Sequence, residues 1–149
     1  MIYLSQRDSR WATWLLGISK LTVGRFGCTT TAISMLSDYF GGFVAPKDLA
    51  KDENLYTKDG LIIWGKLDLP TMKFVKRLRY RNDFEIKRSL SGLDTGVILE
   101  VNYGQHWVVA VRKTWWKNDY LIIDPWTGKT GTAIGDYKNV TGSAHFKRR

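Results

Sequence analysis

Apolar residues recur at three- and four-residue steps over residues 29–40, where Ala32, Ile33, Leu36, Tyr39 and Phe40 fall on one helical face. Gly41 and Gly42 follow, and glycine ends helices readily because it adopts the left-handed conformation without strain. Residues 46–51 read as a short helix with Pro46 in its first turn, and residues 61–67 as another. A further helix is expected over residues 83–90, capped by Asn82 or Asp83. Residues 1–4 suit a short strand, whereas residues 8–17, rich in Trp and Leu, suit irregular packing or a helical turn.

The second half changes period. Residues 97–101, 107–111 and 120–123 are apolar, β-branched runs bounded by Gly, Asn and Asp, which marks strands. Residues 73–80 carry many cations and fit an edge or half-exposed strand. Helices first and strands later imply an α+β fold, with helices packed on an antiparallel sheet. The 149 residues show no repeat or linker, so one domain over 1–149 is expected, ending in a short basic tail. No apolar run approaches the roughly 18 residues of a membrane span. Arg7, Asp8 and Arg10 occupy the stretch where a signal peptide would be apolar, so a soluble chain with a reduced thiol is expected.

Composition narrows the chemistry. One cysteine excludes an intrachain disulfide, and one cysteine with two histidines is too few for a four-ligand structural zinc site; no cofactor is expected. Lys and Arg number 23 against 14 Asp and Glu, a net charge of +9, with seven of the cations between residues 73 and 88. Such a surface attracts nucleic acid, anionic lipid or an anionic wall polymer, or merely solvates the protein. His145, close to the basic terminus, is expected to be exposed and apart from any site.

Cys28 stands where the helix over 29–40 begins. A lone cysteine is ordinarily a small buried hydrophobe, but unpaired N–H groups at a helix start stabilise a thiolate. The preceding Gly27 leaves room for a substrate backbone. His106 opens the strand 107–111, after a turn-like stretch with a glycine, and is by default a surface residue. If residues 114–119 form a hairpin loop, paired residue numbers sum to about 233, which sets His106 opposite residue 127. Asp124 then lies within a few residues of the opposing position, and a small bulge or a shifted loop would bring its carboxylate to the imidazole. It also heads the turn sequence Asp-Pro-Trp-Thr-Gly, and the two roles are compatible. Asn118 and Asp119 are the alternative orienting groups.

The stretches Gln6-Arg7-Asp8-Ser9-Arg10-Trp11-Ala12, Gly27-Cys28-Thr29 and Tyr39-Phe40-Gly41, then His106-Trp107-Val108-Val109 and Asp124-Pro125-Trp126-Thr127-Gly128, come in an informative order. Together they resemble the bacteriocin-processing (double-glycine leader) papain-like cysteine peptidases, in their stand-alone peptidase-like branch. The resemblance covers roughly residues 3–130. It implies a papain-like fold, with the cysteine at a helix N-terminus packed on an antiparallel sheet carrying the histidine. It also implies Cys28 as nucleophile, His106 as general base and acid, Asp124 as the orienting group and Gln6 in the oxyanion hole. Two positions depart from the family pattern: Thr29 stands where glycine is frequent, and Arg112-Lys113 where a glycine and an aromatic are common. The expected partner is a peptide or a cell-wall peptide. The competing expectation is an inactive basic module binding nucleic acid through residues 73–81, where Phe74 and Tyr80 interleave with cations. Trp107 and Trp126 are expected to wall the cleft.

Overall fold

A computed structural model describes residues 1–149. Five α-helices and seven strands form an α+β fold: α1 (Val23–Phe26), α2 (Cys28–Tyr39), α3 (Pro46–Lys51), β1 (Asp68–Leu69), β2 (Met72–Leu78), α4 (Asp83–Ser91), β3 (Thr95–Val101), β4 (His106–Lys113), β5 (Tyr120–Asp124), β6 (Lys129–Thr132), α5 (Ala133–Tyr137) and β7 (Val140–Arg148). All neighbouring strands are antiparallel, in the order β1-β2-β7-β3-β4-β5-β6.

Both faces of the sheet are covered, and the two-residue period of the strands divides the core accordingly. Ile98, Trp107, Val109, Ile123 and Phe146 join the cluster that contains Ala32, Ile33 and Leu36 of α2. Val97, Leu99, Val108, Ala110 and Ile122 point the other way and pack with Ile86 of α4 and Ala133 of α5. α2 is therefore held along its length against β4, which fixes its N-terminus relative to His106 at the start of that strand. No helix is long and apolar enough to cross a membrane.

Several sequence expectations change. Residues 1–4 form no strand, because their polar backbone is anchored singly, Ile2 N–H to the Asp38 carboxylate and Leu4 N–H to Met35 Sδ. Only Trp64–Lys66 of the helix expected over 61–67 is helical, as a 3-10 turn, since Ile62 is drawn into a bridge with Tyr56. The expected basic tail is β7, seated between β2 and β3. Its terminal cations are paired, Arg148 with Asp94 and Arg149 with Asp68.

His145 is likewise not exposed but 3% accessible. It lies within β7, with Nδ1 2.7 Å from Ser89 Oγ and Nε2 2.8 Å from Ser143 Oγ. Burial, followed by the charge of Lys76, pushes its pKa down to about 4, so it is buried neutral.

Candidate active site

α2 begins at Gly27, whose carbonyl accepts the Thr31 N–H, so the N–H groups of Cys28, Thr29 and Thr30 have no partner within the helix. Gly27 has a packing role beside the one the sequence suggested. A Cβ there would stand 2.5 Å from the Val23 carbonyl oxygen, so glycine allows α1 to abut α2 and Cys28 to sit at the junction.

His106 is delivered by a tight turn. Asn102, Tyr103 and Gly104 all have positive φ, and Gln105 N–H closes the turn on Asn102 O. A left-handed tyrosine costs roughly 1–2 kcal/mol, and such strain concentrates where a side chain must be aimed. The imidazole is half-buried, with Nε2 2.8 Å from Asp124 Oδ1. A bulge is present in the hairpin. Val109 and Ala110 pair with Ile123 and Ile122, whereas Arg112 pairs with Leu121, leaving Val111 as the extra residue. Asn118 and Asp119 play no part in orienting the ring. Asp119 instead caps α5 by accepting the N–H groups of Ile134 and Gly135.

Asp124 fills both of its expected roles. Oδ1 also accepts the Trp126 N–H at 2.8 Å, and its backbone carbonyl accepts Gly128 N–H, closing the Asp-Pro-Trp-Thr-Gly turn. Oδ2 accepts a hydrogen bond from the Tyr137 hydroxyl, and the Tyr137 ring lies 5.0 Å from that of His106. Nothing in the sequence pattern pointed to Tyr137. It is delivered by α5, whose N-terminus Asp119 holds.

Since Nε2 belongs to Asp124, Nδ1 is the ring nitrogen left for Cys28. The thiol is half-buried, and its direct side-chain hydrogen-bond partner is Thr29 Oγ1 at 3.9 Å. Burial is the largest influence on Cys28 and raises its pKa. Hydrogen bonding and charge from His106, the Trp107 N–H and the Thr29 hydroxyl together outweigh it, so the pKa is lowered. Burial pushes His106 down, but Asp124 and then Cys28 overcome it and raise the pKa to about 9. Asp124, raised by burial, is lowered overall by His106, Tyr137 and the Trp126 N–H. All three shifts favour a thiolate beside an imidazolium.

Gln6 reaches the site through the same turn. Its N–H donates to Pro125 O at 2.7 Å, and Arg7 lies across the Trp126 ring. Gln6 is 1% accessible, and Nε2 donates to Gly24 O at 3.2 Å, which leaves its second N–H for another acceptor. Oε1 is buried without a partner, an arrangement that costs roughly 1–3 kcal/mol.

Gln6, Cys28, His106 and Tyr137 line one cleft of about 480 Å³. Trp107 and Trp126 contribute to its walls, and one flank is apolar, built from Leu16, Leu21, Phe26, Leu61 and Ile62. No carboxylate lines the cleft, and Arg25 does. No group of three His, Cys, Asp or Glu side chains is arranged to hold a metal ion. The cations of β2 are largely engaged: Lys76 pairs with Glu85 and Arg77 with Glu100, while nearby Arg81 pairs with Asp83. No family model matches the chain, and no curated protein or solved structure matches it.

Proposed function

We propose that this chain is a papain-like cysteine peptidase, of the type its motif order resembles. The observation that carries the reading is the juxtaposition of Cys28, at the start of α2, with a His106 ring whose Nε2 is held by Asp124. An imidazole so held can neither rotate nor exchange tautomers freely, and it keeps Nδ1 for the thiol.

The Cys28 thiolate attacks the carbonyl carbon of the scissile amide, forming a C–S bond as the carbonyl π electrons move onto oxygen. The free N–H of Gln6 and the backbone N–H of Cys28 stabilise that oxyanion; one such donor is worth about 2.7–4 kcal/mol. The tetrahedral intermediate collapses with cleavage of the C–N bond, and His106 Nδ1 gives its proton to the leaving amine. His106, now neutral, takes a proton from water as the water attacks the thioester. The C–S bond breaks, the acid departs, and the thiolate–imidazolium pair is restored.

One feature supports a peptide substrate over the stem peptides of a cell wall. The apolar flank suits a large aliphatic or aromatic side chain, while Arg25 suits an acidic neighbour in either. The alternative of a nucleic-acid module is weakened by the ion pairs that engage Lys76 and Arg77 of β2 and the nearby Arg81. Alkylation of Cys28 at graded pH, compared in wild type, Cys28→Ala and His106→Ala, tests the reading. Wild type should react well below pH 8.5, with the reaction weakened in the histidine variant; identical behaviour near pH 8.5 would refute it. Peptide and peptidoglycan digests, each with Cys28→Ala as the blank, separate the substrate classes.

A further inference from the structure

The loop joining β4 to β5 exposes two indoles that the site does not use. Trp115 is 86% accessible and Trp116 49%, their rings packed edge to face at 5.4 Å. Leaving Trp115 outside and Trp116 only half-covered forgoes a large apolar gain, since aromatic side chains dominate cores when they are inside. The loop is nevertheless rigidly built. Thr114 is buried, its hydroxyl donates to Lys117 O at 2.7 Å, and its N–H donates to Asp119 O. Lys113 Nζ donates to Asn118 Oδ1, and Arg81 donates to Asn118 O at 3.1 Å from across the molecule.

Those anchors bring more aromatic surface to the same end. Arg81 and Asp83 tie the start of α4 to this hairpin, Asp83 by accepting the Tyr120 hydroxyl. Their immediate neighbours Tyr80 and Phe84 are 58% and 73% accessible. Charge is distributed in a complementary way. Of the carboxylates near this hairpin, Asp83 and Asp119 are engaged by Arg81, Tyr120 and the α5 N-terminus, and Asp136 accepts the Thr132 N–H. Arg79, Arg112, Lys113 and Lys117 form no ion pair, in a chain of net charge +9.

We propose that this end of the protein docks on an anionic phospholipid bilayer, with Trp115 and Trp116 entering the headgroup interface and Arg79, Arg112, Lys113 and Lys117 facing lipid phosphates. Indole rings favour that interface, having an apolar body and a polar N–H, and nearby cations add attraction to anionic headgroups. Exposed rings at a hairpin loop suit insertion between headgroups better than a groove tracking a polynucleotide backbone. Docking leaves the cleft free. β4 places His106 and Lys113 at opposite ends of a strand, roughly 24 Å apart at about 3.4 Å per residue.

Co-sedimentation tests this with vesicles of phosphatidylcholine alone and of phosphatidylcholine mixed with phosphatidylglycerol. Binding should favour the anionic vesicles, weaken with salt, and quench tryptophan fluorescence when brominated lipid is used. Arg112→Ser with Lys117→Ser should lower partitioning about 30-fold, taking about 1 kcal/mol for each cation at the surface. Trp115→Ala with Trp116→Ala should abolish the quenching that accompanies binding, while Cys28 alkylation, unchanged, reports an intact fold. Equal binding to both vesicle types, retained quenching in the tryptophan variant, or preferential binding of a single-stranded oligonucleotide would each overturn the proposal.

Discussion

His106 Nε2 and Asp124 Oδ1 stand 2.8 Å apart, although the hairpin that carries them is in register only as far as Ala110. The bulge at Val111 absorbs the odd residue, and Asp124 sits at the C-terminal end of β5 where its side chain can turn toward the ring.

Removing the Asp124 carboxylate and removing only its charge should therefore differ. Asp124→Ala frees the ring, and the proposed peptidase activity should fall by ~10²–10⁴-fold, the range of general acid–base effects. Asp124→Asn keeps an oxygen to accept from Nε2 and from Trp126 N–H, so the loss should stay near tenfold, the difference between a charged and a neutral hydrogen bond. Asp124 raises the pKa of His106, so the alkaline limb of the pH–activity profile should move down from about 9 toward 6.5 in both variants. An unmoved limb in pH-resolved kcat/KM would show that the carboxylate does not control the ring.

How much of this was legible in the sequence follows from the range of the interactions. Val97, Leu99, Val108 and Ile122 declare their strands by lying in short apolar, β-branched runs bounded by turn residues, and Cys28 declares its helix start. β7 was hidden because its buried positions, on both faces of the sheet, include Gly142, Ser143, Ala144 and His145, small or polar residues that look solvated until their partners are known. His145 is tolerated inside only because Ser89 and Ser143 meet both ring nitrogens. The sequence left open whether a bulge or a shifted loop brings Asp124 to His106, and the bulge at Val111 decides it. Tyr137 had no local signal, since its approach to Asp124 depends on the Asp119 cap of α5.

In the proposed reaction Tyr137 acts through Asp124. Tyr137→Phe removes one donor to the carboxylate but keeps the ring beside His106, so kcat should fall by up to about tenfold, the worth of one hydrogen bond. KM should hold. Tyr137→Ala, which also empties the space beside the imidazole, should do worse. A phenylalanine variant with full kcat would reduce Tyr137 to a packing role.

Gln6 is separable from the nucleophile by the choice of reagent. Amide hydrolysis passes through an oxyanion, whereas alkylation by iodoacetamide at carbon does not. Gln6→Ala should lower kcat by roughly 10²–10³-fold. The alkylation rate of Cys28 and its pH dependence should stay near wild type. Parallel loss of both would mean that the variant has disturbed the junction at Gly24, to which the amide is bonded.

His145 sets the acid limit of the fold. Its pKa is depressed from 6.5 to about 4 by burial first and by Lys76 second, with Glu85 opposing. A base with a depressed folded pKa binds fewer protons folded than unfolded between those values, so stability falls as acid is added. The contribution is complete above pH 6.5 and is lost progressively as pH falls toward 4, on the order of 3 kcal/mol over the whole window. Thermal unfolding followed from pH 7 to pH 4 should show Tm dropping across this range. His145→Gln keeps hydrogen-bonding groups for Ser89 and Ser143 without a titrating base, and so should flatten the drop even if it is less stable at pH 7. The cleft residues do not produce the same slope: the raised pKa of His106 places its own loss of stability on the alkaline side, above pH 6.5 and through about 9. A Gln variant whose Tm still falls as steeply would move the acid limit to another group.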